Sequence, residues 1–306
     1  MNNELSQSGD PLKSVTWRGW VAVGLIAGLL GVAFRVPLGW MVDRWTAPES
    51  YYSHGFLVPL VALFLVYRDR FRLADGAAGR SWVGLSVMLA GVSLLLLSGR
   101  LNVFFTGAFA MVPVVWGLCG FLMGVQVMKR LWFPVFLLLF MVPLPLQVID
   151  DISLEMKLLV GKITLLLIEG VGITAINDGA SIYLGDAAVV IGNACSGLRS
   201  LISLIFLGVL FAYYGGLTPW RRGVLFLSSI PIAILANVTR VFLLCMLAYA
   251  FGNNSIKGVV HDASGYMIFV VAFGLLFGVS KALGRRRHGG DGDSNSTAVQ
   301  QAPAQT

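Results

Sequence analysis

Long, nearly uninterrupted apolar stretches constrain this chain more than any other feature. Seven are plain, at 19–40, 82–98, 103–125, 131–149, 197–214, 223–250 and 264–283. A ~30 Å hydrocarbon core needs roughly 17–25 such residues in a helix that rises ~1.5 Å per residue. The stretch 54–67 is shorter, but it borders Tyr51 and Tyr52 and runs into a basic loop, so it reads as an eighth span. Charged residues make up only 12% of the 306, against 57% hydrophobic. A soluble domain needs about 25% charged residues to wet its surface, so a soluble enzyme, a disordered chain and a disulfide scaffold are excluded. What remains is an integral membrane protein.

The segment 150–176 is apolar enough to suggest a ninth span, yet it holds Asp150, Asp151, Glu155, Lys157, Lys162 and Glu169. Placing Lys162 near a helix centre in lipid costs roughly 2.5–3.5 kcal/mol on the insertion scale. An amphipathic helix lying in the interface avoids that cost. Charge bookkeeping favours the same reading. With eight spans and a cytoplasmic N-terminus, 14 of the 22 Lys and Arg residues fall in cytoplasmic segments. A ninth span would move Arg221–Arg222 and Arg285–Arg287 outside, against the positive-inside rule.

The net charge of +7 is then explained by basic loops facing anionic lipid, not by nucleic acid. The first apolar run lacks a small-residue cleavage site and reads as an anchor. The expected fold is thus an all-α polytopic membrane protein of about eight transmembrane helices. Residues 1–18 form a cytoplasmic segment, 19–284 the transmembrane domain and 285–306 a disordered cytoplasmic tail.

Three residues are out of place in such a chain. Cys195, in NACSGLRS (193–200), stands at the outer mouth of the span 197–214. Arg240 lies 17 residues after Gly223, about 26 Å across the ~30 Å core. His261 precedes the last span, in the outer loop VVHDASG (259–265). A thiol, a guanidinium and an imidazole therefore end three consecutive helices on one side. A thiolate is a nucleophile, an imidazole serves as base and then acid near neutral pH, and a guanidinium stabilises a developing oxyanion. Together they suit acyl transfer through a thioester. The preceding SIYLGDAAVVI (181–191) alternates and turns at Gly185-Asp186, as a short extracytoplasmic β-hairpin would.

Each residue also has a plainer reading. A lone Cys beside a membrane helix is usually inert, an Arg snorkels to the interface, and a loop His is usually solvated. Arg199, one turn inside Cys195, either lowers the thiol pKa or pairs with an acid such as Asp186. Asn237 shares a face with Arg240, or bonds backbone freed by Pro231. Asp262 orients His261 or caps the last helix. His54, in YYSHGF (51–56), is a rival base or an interfacial structural residue. Cys119 and Cys245 lie in apolar runs and read as small buried hydrophobes.

NACSGLRSL (193–201), ANVTR (236–240) and the His and Gly of HDASG (261–265) resemble the exosortase/archaeosortase family of membrane cysteine transpeptidases. YYSHGFLVPL (51–60) and FLLLFMVPLP (136–145) extend the similarity over about residues 50–280. The resemblance implies a Cys195, Arg240 and His261 site at the outer face of the cytoplasmic (inner) membrane, with no cofactor and no metal. It also implies substrates that are secreted proteins ending in a short PEP-like motif, a transmembrane helix and a basic cluster. Besides those substrates, the partner expected is membrane lipid. The rival readings are a non-catalytic scaffold of a polysaccharide export system, a transporter, and a protease that only hydrolyses.

Overall fold

The computed structural model describes residues 16–48, 50–76, 79–185 and 187–285. It forms two compact units, Met1–Ile149 and Asp150–Thr306, and is helical apart from one small sheet. The expected cytoplasmic N-terminal segment and polar tail fall almost wholly outside the described residues.

In the first unit the helices are α1 (Trp17–Ala33), α2 (Arg35–Thr46), α3 (Leu57–Arg68), α4 (Arg70–Asp75), α5 (Trp82–Leu101), α6 (Phe104–Met123), α7 (Val125–Arg130) and α8 (Trp132–Leu137). The expected span 19–40 is broken, because α1 and α2 meet at 73°. Pro37 explains the position of the break. It has no N–H to donate and its ring collides with the carbonyl four residues back, which belongs to Ala33, the last residue of α1. Phe34 at the corner is 2% exposed and packs with Ala110 and Val114 of α6.

The expected span 131–149 also ends early. After α8 and a 3-10 turn (Leu138–Met141), Val142 turns extended at φ −79°, ψ 113° before Pro143. The indole N–H of Trp45 donates to the Met141 carbonyl at 2.9 Å, and the Leu144 N–H donates to the Tyr52 hydroxyl at 3.2 Å. Trp45 of α2 and Tyr52 of the 51–56 motif therefore hold this proline turn.

Helices α5 and α6 cross backbone to backbone. Ser81 caps α5 by accepting from the Gly84 N–H, and Asn102 ends it in the left-handed region at φ 54°. A side chain at Gly117 would stand 2.7 Å from the Gly84 carbonyl oxygen, and one at Gly84 would stand 2.8 Å from the Gly117 oxygen. Small residues at a lipid-embedded crossing allow this approach.

The second unit holds α9 (Leu146–Gly170, from residue 150 onward), β1 (Ile176–Asp178), β2 (Ser181–Leu184), β3 (Ala187–Val190), α10 (Leu198–Tyr214), α11 (Pro219–Phe251) and α12 (Val259–Arg285). Helix α9 is amphipathic, as its sequence predicts. Ser153, Met156, Val160, Thr164 and Ile168 form a buried stripe at three- and four-residue spacing. Asp150, Asp151, Glu155, Lys162 and Glu169 are all exposed.

The expected hairpin is present, with Leu184 paired to Ala187 across Gly185-Asp186. The sheet has a third strand that alternation did not reveal, because β1 is only three residues long. One face of the sheet packs with α9 and α11 in a core that includes Ile182, Leu184, Val189, Ile191 and Cys195.

By length and apolarity, α5, α6, α11 and α12 each suffice to cross a membrane. The number reaches six if α1 with α2, and α8 with α9, each count as one broken span. The apolar helices Ser53–Arg68 and Leu198–Tyr214 are shorter. Eight spans are therefore not confirmed, because prolines split two of the long apolar runs that composition alone counts as continuous. The chain is a multi-pass membrane protein.

The α5–α6 crossing gives a direct test. Gly117→Val forces the backbones apart and lowers the thermal midpoint of the detergent-solubilised protein, by a loss of about 1–3 kcal/mol. Gly99→Val, on the same pair of helices but with nothing within 4 Å of the added carbon, leaves the midpoint near wild type.

Candidate active site

All the groups that gather around Cys195 come from the second unit. Ile191 ends the sheet by donating its N–H to Ala180 O at 2.7 Å, and the chain then enters a 3-10 turn, Asn193–Cys195. Lys157 of α9 donates to Asn193 Oδ1 at 2.7 Å and ties the turn to that helix. Ser196 Oγ donates to Asn193 O at 2.9 Å. Gly197 then reverses the backbone at φ +80° and α10 begins at Leu198. Cys195 is 5% exposed and lies just ahead of the N-terminus of α10, the helix end that favours negative charge.

Gly197 is required here on two counts. Its φ suits glycine, and a β-carbon would stand 2.7 Å from Asn237 Cγ. Asn237, 3% exposed on α11, occupies that space and donates from Nδ2 to the Cys195 carbonyl at 2.8 Å. It therefore holds the Cys195 backbone instead of serving the carbonyl freed by Pro231.

His261 is not in a loop. Helix α12 begins at Val259, so the imidazole sits in its first turn, with Nε2 2.7 Å from Cys195 Sγ. Its Nδ1 faces Asp262 Oδ1 at 3.4 Å. With the proton on Nδ1 and directed at that carboxylate, Nε2 presents its lone pair to the thiol. Asp262 is the acidic residue of the first turn of α12, inside the helix instead of at its cap position.

Arg240 is 7% exposed. Its Nε donates to Ser264 Oγ at 3.1 Å and its Nη2 to the His261 carbonyl at 2.9 Å. A buried guanidinium is tolerated only when hydrogen-bonded, and the first turn of α12 supplies these acceptors. At the other end of the same pair, Arg221 of α11 donates to Leu283 O of α12 at 3.0 Å. The two contacts are 19 residues apart along α11, about 28 Å. The Cys195 site and the basic Arg221 end are thus separated by roughly a membrane thickness.

Of the residues singled out from sequence, Cys195, Arg240, His261 and Asn237 converge. Arg199 is exposed at the second position of α10. The turn at Gly197 separates it from Cys195, so the two do not share a helix face. Asp186, its alternative partner, lies outside the described residues. His54 belongs to the first unit, where its ring stacks on Tyr52 at 5.9 Å. Ser264 and Gly265 were not recognised as contact residues, because 259–265 reads as loop in sequence; the signal was Ser264 three residues after His261, one helical turn on. Among the described residues no cluster of three or more His, Cys, Asp or Glu side chains is placed to hold a metal ion.

A buried thiol in contact with an imidazole, whose own backbone carbonyl holds a buried guanidinium, forms a polar thiol site within a membrane protein. The family profile described as Transmembrane exosortase (Exosortase_EpsH) matches residues 40–278. The chain belongs to the transmembrane exosortase family. No curated protein sequence and no solved structure matches it.

The contact between Gly197 and Asn237 is testable by thermal unfolding in detergent. Gly197→Ala adds both backbone strain and a collision, and costs about 1–3 kcal/mol. In the Gly197→Ala background, Asn237→Ala costs less than it costs in wild type, because part of the collision is relieved, while the strain at φ +80° persists.

Proposed function

We propose that this chain is a cysteine transpeptidase that processes the C-terminal sorting signal of secreted proteins at the outer face of the inner membrane. The observation that carries this reading is the 2.7 Å approach of His261 Nε2 to Cys195 Sγ. That distance is within reach of direct proton transfer. The family membership supports the same class of chemistry.

In the mechanism, Nε2 takes the thiol proton and the thiolate attacks the scissile carbonyl carbon. A C–S bond forms, and the charge that develops on the carbonyl oxygen is stabilised by the positive Arg240. As the tetrahedral species collapses, the C–N bond breaks and His261 returns its proton to the leaving amine. The acyl group remains on Cys195 as a thioester. An acceptor amine, or water, then attacks this thioester with His261 again as base, which frees the thiol. Asn237 keeps the Cys195 backbone fixed through both halves.

The termini are cytoplasmic in this reading, and α9 lies in the outer interface. The separation between the site and the basic Arg221 end supports that orientation.

The test is a secreted protein carrying a short motif, a transmembrane helix and a basic cluster, co-expressed with each variant and followed by size and location. Cys195→Ala abolishes tail removal while inserting normally, and Arg240→Lys slows it by about 10²-fold. Unchanged processing by Cys195→Ala would overturn the proposal in favour of a scaffold or a transporter.

A further inference from the structure

Arg240 and His261 are joined by more than proximity. Ser264 Oγ stands between them, accepting from Arg240 Nε at 3.1 Å and donating to the His261 carbonyl at 2.7 Å. The same carbonyl accepts from Arg240 Nη2 at 2.9 Å. One edge of the guanidinium is therefore gripped at two points, and both of these acceptors are neutral. The two bonds fix the direction of that edge.

Gly265 completes the cradle. A β-carbon there would lie 3.1 Å from Nη2, 3.2 Å from Cζ and 3.4 Å from Nη1 of Arg240. The guanidinium thus lies flat over the backbone of α12, directly after the serine that holds its edge.

We infer that Ser264 is a positioning residue, which sets the orientation of the Arg240 guanidinium and ties it to the helix turn that carries His261. This rests on the transpeptidase reading for its catalytic consequence, but not for the contact itself. Without the hydroxyl, Nε loses this acceptor and the side-on grip on the α12 turn is reduced to the bond from Nη2 to the His261 carbonyl. The oxyanion is then met by a charge that must be oriented during the reaction, so the loss falls on turnover and leaves substrate binding alone.

Two readouts on the full-length protein in nanodiscs test this. The first is processing kinetics with the tripartite-tail protein. Ser264→Ala lowers kcat by about tenfold or more, the usual scale for losing one hydrogen bond to a charged group, with KM within about twofold. Ser264→Thr, which keeps the hydroxyl, restores most of the rate. In an Arg240→Lys background, Ser264→Ala adds no further loss, because the side-on grip is already gone.

The second readout does not depend on activity. In protein labelled with ¹⁵N-arginine, the Nε–H resonance assigned by its absence in Arg240→Lys exchanges slowly in wild type and in Ser264→Thr, and quickly in Ser264→Ala. If wild type processes the tail but Ser264→Ala matches it in kcat, or Ser264→Thr is as impaired as Ser264→Ala, the positioning role is overturned and the transpeptidase reading stands. If wild type processes no such tail while Nε–H protection still depends on Ser264, the transpeptidase reading fails and the positioning of Arg240 stands. Equal exchange in all three proteins overturns the contact itself.

Discussion

Asn237 and Arg240 lie one turn apart on α11, and each grips a different segment of chain. Asn237 holds the carbonyl of Cys195, and Arg240 holds the carbonyl of His261 together with Ser264 Oγ. The thiol and the imidazole come from segments 66 residues apart. Helix α11 carries an anchor for each, one turn apart. That is a stiff reference, because an α-helix in a packed unit holds residues one turn apart in a fixed relation.

The arrangement has an energetic logic. Arg240 is almost fully buried, where an unpaired charge is strongly disfavoured. Its bonds to acceptors in the first turn of α12 help to make the burial tolerable. The same contact recruits the N-terminal turn of α12, so satisfying the guanidinium and placing His261 are one event. At the far end of α11 the solution repeats in simpler form, with Arg221 on the carbonyl of Leu283. Basic side chains at helix ends satisfy carbonyls that have no partner within the helix.

Much of the fold was legible in the sequence, and the failures have specific causes. The hairpin followed from alternation and from Gly185-Asp186, and the amphipathic character of α9 followed from its charged residues. The spans 19–40 and 131–149 were read as continuous because hydropathy averages over proline. Pro37, and the pair Pro143 and Pro145, remove backbone donors that composition does not weigh. The third strand, β1, was too short to show a period. His261 was read as a loop residue because polar residues at a helix N-terminus look like loop when only hydropathy is considered.

The sequence by itself determined that this is a multi-pass membrane protein, and it singled out Cys195, Arg240 and His261 as residues out of place in lipid; Arg240, expected near a helix end, lies 11 residues before the end of α11. Those conclusions rest on solvation and helix length, which depend on residue type and order alone. Only the tertiary structure decided which polar residues meet. It joined Asn237 to the Cys195 carbonyl, added Ser264 and Gly265 to the Arg240 cradle, and left Arg199 exposed. Contacts of this kind depend on the direction in which a side chain leaves the backbone. At Gly197 a single residue at φ +80° turns Cys195 away from the face of the helix that follows it, and no count of spacing along the chain contains that turn.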